Sequence, residues 1–378
     1  MAVGAFLSRP AAMAALIVSA VACGHPPQRP NPVGLTFAAY EDEARRDWAG
    51  TQNRPMATVI WYPTTIGTRE ARWHVSVFDA GWNAQGAPLA AGTGKLPLVV
   101  LSHGTGGGAA TMSWLAETLA SNGYVVAAVN HHGNTAAEPA YQIQGFMLWW
   151  ERAKDMSVLI DKVLADSRFG PHVDRARIGV AGFSLGGYTA LAAAGVRLEY
   201  EQWKRFCASR PADPNCKMPP ETSFTRADAE RLLDHDERVK EAVSHAHESF
   251  RDARIRAAFA IAPVLGPVMT KTSLADIRVP VRIVVGSKDD QALPDVNARP
   301  MAATIPNAEL EVIPEVTHYA FLARCRLFGK VVARSLCIDP GSVDRGAVHR
   351  KVGADALAFF NRTLGARVLR LPCALAQA

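Results

Sequence analysis

Several things are missing from this 378-residue chain, and each absence removes a class of protein. No Cys-x-x-Cys pair occurs among its six cysteines, which argues against a zinc ribbon or a dithiol redox centre. The longest apolar run near the N-terminus, from Ala11 to Val21, is too short to span a bilayer comfortably. No internal repeat is visible, so the chain is not a solenoid or an array. Its arginines are scattered rather than clustered on one periodic face, and a nucleic-acid partner therefore has little support. The glycine-dense loop Ser102 to Gly108 lacks the Gly-Lys-Ser/Thr ending of a phosphate cradle, and no acidic residue follows where a ribose would need one. What is present is ordinary for a large globular fold: 49% hydrophobic and 20% charged residues, with 41 basic side chains against 35 acidic ones for a formal charge of +6.

Residues 1–22 predict an export signal, because Arg9 precedes the apolar run and Ala20-Val21-Ala22 fits a cleavage site. Cys23 directly after it resembles a bacterial lipobox, with Ala20 standing where leucine is usual. Residues 23–32, which include His25-Pro26-Pro27-Gln28-Arg29-Pro30-Asn31-Pro32, predict an extended tether. The expectation is an exported protein, either a periplasmic or outer-membrane lipoprotein anchored through Cys23 or a secreted one. The remaining cysteines suit that compartment: Cys207 with Cys216 and Cys325 with Cys337 bracket short segments at a spacing expected of local disulfides, leaving Cys373 over.

Strand-like runs recur at Leu35 to Tyr40, Met56 to Tyr62, Leu98 to Leu101, Tyr124 to Val129, Arg177 to Ala181, Ala257 to Ile261, Val281 to Val285 and Ala308 to Ile313. Most of the later ones are short, β-branched and unalternating, as strands buried on both faces should be. Helical patterns lie between them at Thr111 to Ser121, Phe146 to Ala165, Ser184 to Ala194 and Ser342 to Thr363. This alternation predicts an α/β fold with a mostly parallel eight-stranded sheet flanked by helices. Residues 33–195 and 257–378 would form the core. Residues 196–256, charged and helix-prone, break the alternation and predict a helical cap insertion over the carboxyl edge of the sheet.

That edge is where the chemistry gathers. Gly182-Phe183-Ser184-Leu185-Gly186 joins an apolar strand to a helix of small residues, the layout of a nucleophile elbow, where a strained turn pushes the serine oxygen clear of the sheet. A serine needs a base, and the base needs an acid behind it. The ends of two later strands offer Asp289 or Asp290, and His318. The loop Ser102 to Gly108 after the third strand run supplies backbone donors for an oxyanion, read here as the N–H of Thr105 together with that of Leu185. His103, closing the third strand run, and Tyr319, beside His318, are expected to line a substrate pocket with Trp149 and Trp150, while Tyr141, Phe146, Trp203 and Phe206 lie near the rim or the cap.

The segments Val59-Ile60-Trp61-Tyr62-Pro63, Leu101-Ser102-His103-Gly104-Thr105-Gly106, Gly182 to Gly187, Gly286-Ser287-Lys288-Asp289 and Thr317-His318-Tyr319 resemble the α/β-hydrolases. Within them they resemble the bacterial predicted dienelactone hydrolases that are similar to platelet-activating-factor acetylhydrolase and to polyester-cleaving esterases. The resemblance implies an α/β-hydrolase fold and hydrolysis of small or lipid-like carboxylic esters through an acyl-serine, with no metal or organic cofactor. It implies Ser184 as nucleophile, His318 as base and Asp289 as the acid, since such hydrolases place the acid three residues beyond the glycine, here Gly286. Ser184 stands where true dienelactone hydrolases carry cysteine. Phe183 and Leu185 stand where polyester hydrolases carry histidine and methionine. An acyltransferase or a peptidase using the same three residues, or a non-catalytic binding protein on the same fold, are the alternative readings.

Overall fold

The computed structural model describes residues 27–365 apart from 91, 93 and 342. The signal segment 1–22, Cys23, the first part of the tether and Cys373 lie outside the described residues. Short valine- and alanine-rich runs fold as strands because both of their faces can be covered. Leu96–Ser102 (β5) and Val125–Val129 (β6) are buried at every position. Val173–Phe183 (β7), Ile255–Ile261 (β8) and Val281–Gly286 (β9) continue the pattern over their buried stretches, while Ala308–Ile313 (β10), which carries Glu309 and Glu311, is fully buried only at Ile313. The first described strand is Val33–Arg46 (β1), whose middle alternates half-buried with exposed residues, followed by Asn53–Pro63 (β2). Together with Ala71–Val75 (β3) and Phe78–Gln85 (β4), they form one ten-stranded sheet in the order β10-β9-β8-β7-β5-β6-β2-β1-β4-β3.

The sheet thus has two strands more than the eight expected. β3 and β4 escape a pattern search because Ala-Arg-Trp-His-Val is mostly exposed, and Phe78–Gln85 carries Asp79, Gly81 and Asn83, residues poorly suited to strands. Six strands, β10 through β6 in that order, run parallel, and β2 joins β6 antiparallel. Strand order reverses at β5: β6 lies on one side of it and β7 on the other. A crevice opens at the carboxyl ends of such a switch point, and the loops leaving β5 and β7 meet there.

Helices Ser113–Ser121 and Arg345–Leu364 pack against each other on one side of the sheet. Helices Glu151–Ala165 and Leu185–Ala194 pack together elsewhere, the second fully buried between β7 and β8 on a face of glycine and alanine. Between Leu185–Ala194 and β8 the chain forms helices Tyr200–Ser209, Arg226–His235 and Glu237–Ser244. Disulfides join Cys207 to Cys216 and Cys325 to Cys337. The described end of the expected tether is not loose. Arg29 pairs with Glu70 and Glu117, and the Asn31 amide, 1% exposed, donates to the carbonyl of Ser121. Among the described residues no helix is long and apolar enough to cross a membrane.

Candidate active site

The sharp turn after β7 is dictated by its glycines. A Cβ on Gly182 would lie 2.1 Å from the carbonyl oxygen of Gly186, and one on Gly186 would lie 2.0 Å from that of Ser102. Only hydrogen fits at either place. Between them Ser184 takes φ 56° and ψ −119°, a conformation that L-residues seldom adopt, held by its N–H donating to the carbonyl of Ile261 at 2.8 Å. Its hydroxyl is thereby lifted to the rim while the residue stays 7% exposed.

Two loops from neighbouring parallel strands reach that hydroxyl. His318, following β10, places Nε2 2.9 Å from Ser184 Oγ, and its Nδ1 lies 2.9 and 2.8 Å from the two carboxylate oxygens of Asp289, after β9. The Asp289 carboxylate also accepts from the N–H groups of Gln291 and Ala292, which fixes its orientation. This set assigns the proton to Nδ1, so that Nε2 accepts from the serine O–H. Asp290, the other candidate acid, is exposed. The ring of Phe183 lies 4.8 Å from the imidazole and shields it.

The loop after β5 turns beside this trio, with Gly106 at φ +62°. Its geometry is set from behind: the Gly106 N–H donates to Asn134 Oδ1 at 2.6 Å, and the Tyr141 hydroxyl donates to the Gly106 carbonyl at 2.7 Å. Neither the Thr105 N–H nor the Leu185 N–H, at the first turn of helix Leu185–Ala194, has a hydrogen-bond acceptor among the described residues.

The four expected pocket residues divide. His103 is fully buried and both its nitrogens are engaged, Nδ1 with the Gly104 carbonyl at 2.7 Å and Nε2 with the His131 N–H at 3.1 Å. Burial holds it neutral, well below the usual imidazole range. It braces the loop rather than facing substrate. Trp150 is 4% exposed and belongs to the hydrophobic core, because its position heads helix Glu151–Ala165 on the inward side. Trp149 and Tyr319 do meet segment 196–256: Trp149 packs edge-on against Trp203, and the Tyr319 hydroxyl donates to Glu221 Oε1 at 3.0 Å. Burial first, then the neighbouring Glu221 carboxylate, raises the Tyr319 phenol above its ordinary range.

Beneath lies an arrangement that the sequence does not reveal as a unit, although His131, closing the fourth strand run, reads there as a pocket or hydrogen-bonding residue. Ser102, His131 and Asp155 form a second serine–histidine–aspartate chain, with Ser102 Oγ 2.8 Å from His131 Nε2 and His131 Nδ1 2.8 Å from Asp155 Oδ2. All three are fully buried, so no substrate reaches them. Asp155 also accepts from Arg54 at 2.9 and 3.1 Å and from Arg45 at 2.5 Å, and Arg152 donates to the His103 carbonyl from below the loop. Burial pulls the His131 imidazole down to about 3, so the relay is neutral at the histidine and charged at the aspartate. Glu221 is the second omission. It stands against Gly106, whose added Cβ would lie 2.9 Å from the Glu221 Cβ, and so brings a carboxylate of segment 196–256 to the loop beside the site.

The fold is that of the α/β-hydrolases. The family model of platelet-activating factor acetylhydrolase, isoform II, matches residues 72–147, which include the loop after β5. That of the prolyl oligopeptidase family matches residues 110–284, which include Ser184 but end before Asp289 and His318. Among solved structures, ferulic acid esterase from Streptomyces cinnamoneus is similar over 93% of this chain and 96% of its own, with 21% identity and a TM-score of 0.63. No curated protein matches the chain.

Proposed function

We propose that this chain is an exported serine esterase that cleaves small or lipid-like carboxylic esters through an acyl-serine intermediate. One observation carries the reading: Ser184 Oγ, the His318 imidazole and the Asp289 carboxylate stand in a single hydrogen-bonded line. As the serine oxygen attacks the ester carbonyl, His318 Nε2 takes its proton, and Asp289 stabilises the imidazolium through Nδ1–H. Negative charge then grows on the former carbonyl oxygen. The free N–H groups of Thr105 and Leu185 are the donors for it, preorganised by Asn134, Tyr141 and the buried relay. Collapse expels the alcohol with the proton from His318, and water, activated by the same nitrogen, releases the acid.

The matches to acetylhydrolase and ferulic acid esterase support the ester as substrate class. The two disulfides support an oxidising compartment and hence export. The match to the prolyl oligopeptidase family makes peptide-bond cleavage the second reading. Turnover of short-chain p-nitrophenyl esters, compared with the corresponding anilides, separates the two. Ser184→Ala should lose roughly 10⁴-fold or more of the ester rate, together with labelling by a fluorophosphonate. Wild-type turnover in that variant would overturn the assignment.

A further inference from the structure

Seven residues beyond His318 the chain leaves the core in a small projection closed by Cys325–Cys337. Its helix Leu327–Val332 turns its apolar side chains outward: Leu327 is 82% exposed, Val331 73%, Phe328 61% and Val332 57%, with Ile338 at 44% just beyond. Exposed leucines are common singly, but four large apolar residues in a six-residue helix, left in water, are not. Nor is the exposure a sign of looseness. Gly329 packs so tightly that a Cβ there would lie 2.8 Å from both Cβ and the carbonyl oxygen of Val77. The Arg326 N–H donates to the same Val77 carbonyl, and Phe78 bridges to Cys325. The Arg345 guanidinium clamps the far side through Asp339 and the Leu336 carbonyl. The fold therefore presents this face rigidly.

Its charge indicates what covers it. From Val316 to Ile338, 23 residues contain no aspartate or glutamate and four cations, Arg324, Arg326, Lys330 and Arg334. All four are exposed, and Arg326, Lys330 and Arg334 have no ion-pair partner among the described residues. An apolar knuckle ringed by unpaired cations is complementary to one kind of surface, acyl chains beneath anionic headgroups.

We propose that the disulfide-closed segment 325–337 docks this protein on anionic phospholipid bilayers, with Leu327, Phe328, Val331 and Val332 entering the headgroup boundary and Arg326, Lys330 and Arg334 meeting phosphate. The inference does not depend on the esterase assignment. It is tested on the full chain carrying Cys23→Ser, so that no acyl anchor contributes, by co-sedimentation with phosphatidylglycerol–phosphatidylcholine vesicles and with pure phosphatidylcholine vesicles. The protein should sediment with the former and far less with the latter. Arg326→Glu combined with Lys330→Glu should weaken binding to the anionic vesicles by at least about 25-fold. Leu327→Ser combined with Phe328→Ser should weaken it by at least about tenfold. Both variants should keep the parent's thermal midpoint, because these side chains touch water. Absent binding by the parent, or undiminished binding by the variants, overturns the proposal. So does a parent that is dimeric by light scattering and falls to a monomer on the serine changes without having bound vesicles, since the face would then join two copies.

Discussion

Asp155 gathers two arginines and a histidine around one carboxylate out of contact with water, and a buried charge so placed is most sensitive to losing its partner. Asp155→Asn keeps the volume but leaves Arg54 and Arg45 uncompensated. It should cost about 3–5 kcal/mol in denaturant unfolding. Glu117 offers a test in pH. Burial outweighs the adjacent Arg29 and pushes its carboxyl up from 4.5 to about 8, so the folded protein holds a proton that the unfolded chain releases. Stability from this group is complete below pH 4.5 and declines as pH rises to about 8. In Glu117→Gln that decline should disappear from the urea midpoints across the interval; an unchanged slope would mean that Glu117 is ionised. Legibility in the sequence follows the same divide. The turn that carries Ser184 was readable because its glycines are required locally, and the loops that carry Asp289 and His318 because each follows an apolar run, while the choice of Asp289 over Asp290 came from the resemblance alone. Asp155 and Arg152 were not readable, since charges within Glu-Arg-Ala-Lys-Asp look like a solvated helix face until the helix is packed with that side inward.

Elements were most readable where both faces are buried. β5 to β9 announce themselves by apolar runs; β10, at one edge of the sheet, sets Glu309 and Glu311 between apolar residues, and β3 and β4, at the other edge, give no such signal. Helix Tyr200–Ser209 was expected only as part of the helix-prone stretch 196–256, without bounds: it is short, and Cys207 is its only buried residue. Its position comes from contacts no local pattern encodes, with Trp203 donating to the Asn215 carbonyl and Gln202 to that of Pro267. The Cys207–Cys216 link closes this helix onto the loop that carries Asn215 and leads to Glu221. Replacing both cysteines by serine removes a constraint worth about 2–3 kcal/mol for a loop of this length. Limited proteolysis should then cut between residues 207 and 221 well before the core is touched, whereas an unchanged cleavage pattern would show that the disulfide does not hold the cap.

At the scale of the whole molecule, one sheet runs from β10 to β3, and a single hydrophobic cluster includes the strands, the flanking helices and the cap residues Val239 and Ala246. The cap contributes few apolar residues of its own and rests on that cluster. Calorimetry should therefore record one unfolding transition for the intact protein, and a separate cap transition would contradict a shared core. The pinning of Arg29 by Glu70 and Glu117 has a consequence for how far the enzyme can stray from any surface to which its amino end is fixed. Six peptide steps separate Cys23 from Arg29, a contour of at most about 20 Å. If Cys23 carries acyl chains, the globule is moored on a line shorter than its own sheet is wide, and its search for substrate becomes two-dimensional.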